Sequence, residues 1–184
     1  KQKGNVVTHG LSGQIGGMLV FRQRAGRTIV SKMPEMGKEA TEAQLANRRK
    51  FQRATLYSTG VMSDPKLAEA YASKAKPGQS ARNVAVADFF HAPDIETIDV
   101  TDYRGLPGDV IRIEVTDDFM VKEVKVEIYR SDGALVEEGY AVQEPVGYEW
   151  KYVAKVENLT QEGERIEVFA SDLPGNISEK TKEL

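Results

Sequence analysis

Residues 111–128 read IRIEVTDDFMVKEVKVEI, and their reading decides the fold. Ile111, Ile113 and Val115 alternate with Arg112 and Glu114; beyond Asp117-Asp118, Val124, Val126 and Ile128 alternate with Lys125 and Glu127. A period of two puts the apolar side chains on one face of a strand and the charged ones on the other, so both runs predict strands with one buried face. The same period continues outward. Tyr148, Trp150, Tyr152 and Ala154 share a face, as do Ile166, Val168 and Ala170, and residues 95–100, 134–141 and 177–182 supply three further runs. Pro107-Gly108-Asp109, Ser131-Asp132-Gly133 and Leu173-Pro174-Gly175-Asn176 carry turn chemistry between them. About seven strands at this spacing predict an immunoglobulin-like β-sandwich over residues 94–184.

Before Pro93 the period is 3.6, and residues 38–93 predict three short helices. Thr41-Glu42-Ala43-Gln44 is a capping box, in which Thr41 and Gln44 satisfy backbone donors reciprocally. The helix it opens is expected to reach Thr59 and stop at Gly60. On a wheel Ala43, Phe51, Ala54 and Val61 fall on one side and Leu45 and Leu56 almost opposite, the pattern of a helix held between two layers or two subunits. Asp64-Pro65 opens a second helix bearing Leu67, Ala70, Tyr71 and Ala75, which Pro77-Gly78 ends. A third begins near Ser80. It is apolar nearly all round through Val84, Val86, Phe89 and Phe90, and is expected to be the buried one.

Residues 1–37 stand apart. Gly4, Gly10, Gly13, Gly16 and Gly17 predict an extended arm up to residue 17; MLVFRQR (18–24), Ala25-Gly26 and RTIVSK (27–32) then predict a β-hairpin. Leu19, Phe21 and Gln23 share one face, with Val20, Arg22 and Arg24 on the other. A hairpin alone is marginal in water, so this one needs a surface to lie on. The fold class expected is α+β: an arm and hairpin, a three-helix segment and a sandwich.

The 184 residues are 40% hydrophobic and 29% charged, ordinary for a globular protein, and contain no run long enough for a membrane-spanning helix. The absence of cysteine excludes disulfides and thiolate chemistry while leaving the compartment open. The net charge of -3 hides an asymmetry: residues 1–90 hold 15 Lys+Arg against 6 Asp+Glu, and residues 91–184 hold 10 against 22. Such a division suits a basic end facing nucleic acid, or one copy's basic end packing on another's acidic end.

Two resemblances follow from these residues. The region from about residue 94 onward, above all the Asp172-Leu173-Pro174-Gly175-Asn176 turn, resembles bacterial immunoglobulin-like domains of surface and secreted proteins, which implies a fold and no particular activity. Residues 10–51, with Ser12-Gly13-Gln14-Ile15-Gly16 and Thr41-Glu42-Ala43-Gln44-Leu45-Ala46-Asn47-Arg48, resemble an uncharacterised family of small proteins common in Bacteroidetes-type bacteria. That family commonly has lysine where this chain has Gln14, which weakens any anion-binding role for the loop.

Sites for chemistry are few. The glycines of residues 10–17 lead into a strand and lack the Lys-Ser/Thr of a phosphate loop. His9 and His91 have no acid or cysteine at ligand or dyad spacing, and there is no Gly-x-Ser-x-Gly elbow. No catalytic residue, cofactor or small-molecule substrate is therefore expected. Asp117, Asp118, Asp172 and Asn176 are candidate calcium ligands at converging loops, set against a role in bonding the turn backbone alone. Arg22, Arg24, Arg27, Lys32, Arg48, Arg49, Lys50 and Arg53 make nucleic acid a possible partner, but only Phe21, Phe51 and Tyr57 interleave and no recognition motif appears.

The expectation is a non-enzymatic structural subunit that self-assembles into an extracellular filament or phage-like particle. Residues 5–32 would add as strands to a neighbour's sheet edge, making a homo-oligomer. Leu19, Phe21, Ile29, Val30, Arg22 and Arg24, with Leu45 and Leu56 of the first helix, would form the interface. Two alternatives stand: a cell-surface module recognising glycan or matrix through Tyr140, Tyr148, Trp150 or Tyr152, and nucleic-acid binding by the basic half.

Overall fold

The structure is a computed structural model and describes residues 8–24, 26–33, 39–159 and 163–184. It is a mixed α/β protein. The described residues form three helices and three antiparallel sheets, in a chain that divides into two compact units, Lys1–Arg49 and Lys50–Leu184.

The first unit contains a three-stranded sheet in the order β1 (Gly13–Ile15), β2 (Leu19–Arg24) and β3 (Arg27–Lys32). Arg24 pairs with Arg27, so the connection between β2 and β3 is the two-residue turn the sequence predicts. Its first residue, Ala25, and the arm before Thr8 lie outside the described residues. The arm departs from expectation at β1. Gly16 and Gly17 both have positive φ, 60° and 66°, and Met18 N donates to Ile15 O, so they form a type I′ turn that folds residues 13–15 back onto β2.

Helix α1 (Glu42–Ser63) opens on the capping box. Thr41 N donates to Gln44 Oε1 at 3.1 Å, and Gln44 N to Thr41 Oγ1 at 3.3 Å. The helix passes through Gly60 instead of ending there. Gly60 lacks the positive φ of a terminating glycine, and its interior position costs only about 1 kcal/mol. Asp64 caps α2 (Pro65–Ser73) by accepting from Lys66 N and Leu67 N, and Ser80 caps α3 (Ala81–Asp88) by accepting from Asn83 N. None of the described helices is long and apolar enough to cross a membrane.

The strands of the second unit form two sheets over one core. β4 (Asp94–Asp99), β5 (Val110–Thr116), β9 (Glu149–Val153) and β8 (Val142–Gln143) make one; β11 (Ile177–Glu183), β10 (Arg165–Asp172), β6 (Val121–Tyr129) and β7 (Leu135–Tyr140) make the other. All seven predicted runs form strands, and the short β8 is an eighth. Register explains the shared core: Ile111 faces Tyr152 and Ile113 faces Trp150 across β5–β9, while Ile166, Val168 and Ala170 face Ile128, Val126 and Val124 across β10–β6. These side chains form one buried cluster, each of the larger ones contributing roughly 1.5–3 kcal/mol by leaving water.

A second cluster joins the helices to this β layer. Val61, Tyr71 and Ala85 pack with Phe119 of the β5–β6 loop, and Leu173 of the β10–β11 turn lies against them. Tyr71 stacks on Phe119 with ring centroids 3.6 Å apart. Helix α3 is not the central element its composition predicts: Val84 and Val86 are half-buried, and its fully covered positions are Ala85 and Asp88. The most enclosed large side chain of the helices is Tyr71 on α2.

Candidate functional site

Two places in the chain carry more than packing. The first is the N-terminal sheet. Pairing of Phe21 with Gly13 and Val30, and of Leu19 with Ile15 and Lys32, puts Ile15, Leu19, Phe21 and Val30 on one face. Of these only Phe21 is buried; Ile15, Leu19 and Val30 are exposed, as is Met18 beside them. The register puts Ile29 on the opposite face, where it pairs with Arg22 while Arg24 pairs with Arg27. The expected interface residues thus divide into an apolar face and a basic face. On α1, Leu45, Phe51 and Leu56 are exposed, and the buried stripe is Ala54, Ser58 and Val61.

The second place lies among the helix end and two loops of the second unit. Asp88, the last residue of α3, Asp117, after β5, and Asp172, the last residue of β10, each offer a carboxylate oxygen within 4.8 Å of the others. Asp88 and Asp172 are buried, and Asp117 is half-buried. Tyr71 Oη donates to Asp88 Oδ2 at 2.6 Å, and Tyr57 and Tyr71 share a 2.8 Å hydroxyl bond. Asp117 Oδ2 accepts from Phe119 N and Met120 N. Asp172 Oδ1 accepts from Gly175 N and Asn176 N, and its Oδ2 from Asn176 Nδ2, which also donates to the carbonyls of Asp88 and His91. Asp88 Oδ1 and Asp117 Oδ1 are buried without a hydrogen-bond partner.

Electrostatics follow from this crowding. Burial pushes the Asp88 carboxyl up to about 6, against the Tyr71 hydrogen bond and with help from the charges of Asp117, Asp172 and Asp118. Burial likewise raises the Asp172 carboxyl, although the Asn176 and Gly175 donors oppose it. The Tyr71 hydroxyl is pushed far upward by burial first and by its bond to Asp88 second.

Of the four calcium candidates in the sequence, Asp117 and Asp172 meet here. Asp118 is drawn away to an exposed pairing with His91 Nδ1, and Asn176 uses its amide nitrogen to tie the turn to α3. The turn-bonding role weighed for Asp172 and Asn176 is therefore real, and Asp172 also reaches the cluster. His91 does have an acid neighbour, 27 residues further along the chain, which sequence spacing could not reveal. No motif marks Asp88 in the sequence; its one signal is a lone carboxylate within Val84-Ala85-Val86-Ala87-Asp88-Phe89-Phe90. Among the aromatics considered for glycan contact, Trp150 and Tyr152 are buried in the core, whereas Tyr140 and Tyr148 are exposed.

In comparisons with known proteins, the chain matches no family model, no curated protein and no solved structure.

Proposed function

We propose that the protein is a non-enzymatic structural subunit that self-assembles through its N-terminal sheet, with an immunoglobulin-like sandwich as its body. The sheet orders β4-β5-β9-β8 and β11-β10-β6-β7 support the sandwich reading, since they correspond to the A-B-E-D and G-F-C-C′ orders of that architecture.

The observation that carries the assembly reading is the apolar face of Ile15, Leu19 and Val30, exposed on a sheet with Phe21 as its one buried apolar residue among those described. So small a sheet gains little from its own packing, and an apolar face of this kind is stabilised by an added layer or strand. The opposite face indicates a second copy as the occupant. Arg24 stands directly across from Arg27, beside Arg22, and like charges so placed repel unless acidic groups neutralise them. Residues 91–184 of another copy, with 22 acidic residues against 10 basic ones, supply such groups. Strand addition along β1 or β3 would give heterologous contacts, which close into rings or propagate as filaments.

Size-exclusion chromatography with light scattering, alongside electron microscopy, tests this on the intact chain, on a chain lacking residues 1–32 and on the full-length Leu19→Lys/Val30→Lys variant. The intact protein is expected to form oligomers that high salt weakens, and the other two to stay monomeric. Identical monomers in all three at high concentration would refute the proposal. The three arginines also favour a second reading, nucleic-acid binding, which a filter-binding titration showing no salt-sensitive retention would remove.

A further inference from the structure

We infer that Asp88, Asp117 and Asp172 form a binding site for a calcium-class divalent cation, placed where helix α3 meets two loops of the β layer. The three side chains come from positions far apart in sequence and converge with ligand oxygens inside 4.8 Å. Like charges so close repel strongly. Among the described residues no lysine or arginine forms an ion pair with any of them, and the nearby His91 is engaged by Asp118.

A second observation is independent of this clustering. The Asp88 side chain is fully buried, yet its Oδ1 has no partner, and Asp117 Oδ1 is orphaned in the same way. Buried acceptors in folded proteins nearly always have partners, so two carboxylate orphans in one cluster call for a partner the chain does not supply, and among three like charges a cation suits that place best. Asp88 is also the last residue of α3. The C-terminal end of a helix dipole favours cations and disfavours carboxylates, which makes this a costly place for a buried Asp unless a cation sits against it.

The donor set selects the ion. The cluster itself offers oxygen alone, whereas zinc sites are built mainly on sulfur and imidazole, so the donor set favours a hard cation over zinc. Magnesium usually keeps several waters and takes one or two carboxylates, whereas calcium accepts six to eight oxygens in irregular geometry. Three carboxylates supply the anionic part. Asp117 also lines an open cleft of about 350 Å³ with His91, Asp94, Thr116 and Asp118, through which the ion and its remaining water ligands would enter. Bound there, the ion would fasten the helices to the β layer at a point where protein hydrogen bonds leave charge unpaired.

The test uses the full chain, stripped with EDTA and titrated with CaCl2, MgCl2 or TbCl3, and compared with Asp88→Asn, Asp117→Asn and, as a control, Asp132→Asn in the turn at the other end of β6. The asparagines retain an oxygen for the Tyr71 hydroxyl and for the Phe119 and Met120 amides, so these variants should fold. Calcium is expected to raise the thermal midpoint. Terbium is expected to emit when tyrosine is excited, with Tyr71 the adjacent donor, and to be displaced by calcium. Asp88→Asn and Asp117→Asn should each weaken binding at least about tenfold, while Asp132→Asn leaves it unchanged. The inference is overturned if about 10 mM calcium, above the weakest class of calcium module, leaves the midpoint in place. It is equally overturned if the Asp88 and Asp117 variants bind terbium as tightly as the parent, or if magnesium produces the same shift as calcium.

Discussion

Replacing Gly105 by alanine should unfold this protein far more readily than the same change at Gly108. Gly105 has φ +82°, and a Cβ built there lies 1.7 Å from the carbonyl oxygen of Asn158 and 2.6 Å from its carbonyl carbon. Both are backbone atoms, so no side-chain rotation relieves the clash; one segment has to move by more than an ångström. That movement breaks the 2.7 Å bond from Asn158 N to Gly105 O and disturbs the buried bond from Asn158 Nδ2 to Glu164 Oε2 at 2.8 Å. The left-handed backbone costs an alanine about 1–2 kcal/mol, and each buried hydrogen bond lost adds about 1–3 kcal/mol. The total, about 3–8 kcal/mol with both bonds lost, is a large part of the roughly 5–15 kcal/mol that holds a typical domain together. At about 2–4 °C per kcal/mol for a chain of this size, the midpoint should fall by about 6–32 °C. Gly108 provides the control: its φ is +98°, but nothing lies within 4 Å of its Cβ position, so only the backbone term of about 1–2 kcal/mol applies. Thermal and urea unfolding followed by circular dichroism measure both. Equal losses in the two variants would show that the close approach to Asn158 contributes nothing, refuting the reasoning.

Glu164 is buried, and burial raises its carboxyl above the ordinary 4.5. A carboxylate raised in the folded state costs stability above its folded pKa, and that cost disappears as pH falls through that value towards 4.5. Glu164→Gln, which retains the acceptor for Asn158 Nδ2, should therefore raise the unfolding midpoint at neutral pH and lose that advantage on acidification; a gain independent of pH in the same melts would count against it. Asp64→Ala, which leaves Lys66 N and Leu67 N without their cap, should cost about 1 kcal/mol in urea unfolding, and Asp64→Asn much less.

The sequence by itself determined the features whose causes are local. Same-face alternation located β5, β6, β9 and β10, because the period of two is a property of the extended backbone, and turn chemistry on either side bounded the other three long strands of the β layer. Asp64-Pro65, Ser80 and the Thr41–Gln44 box located three helix starts, because a cap satisfies amides two or three residues away. The Gly60 helix end failed for a complementary reason: glycine permits a stop, and packing of Val61 beyond it outweighs the small cost of continuing. Tertiary structure alone decided that β1 returns onto β2 and that Tyr148 is exposed beside buried Trp150 and Tyr152. The carboxylate cluster belongs there too. Asp88, Asp117 and Asp172 have no common period or motif, and the helix, loop and turn that bear them meet only once Tyr71, Phe119 and Leu173 have packed into a shared core.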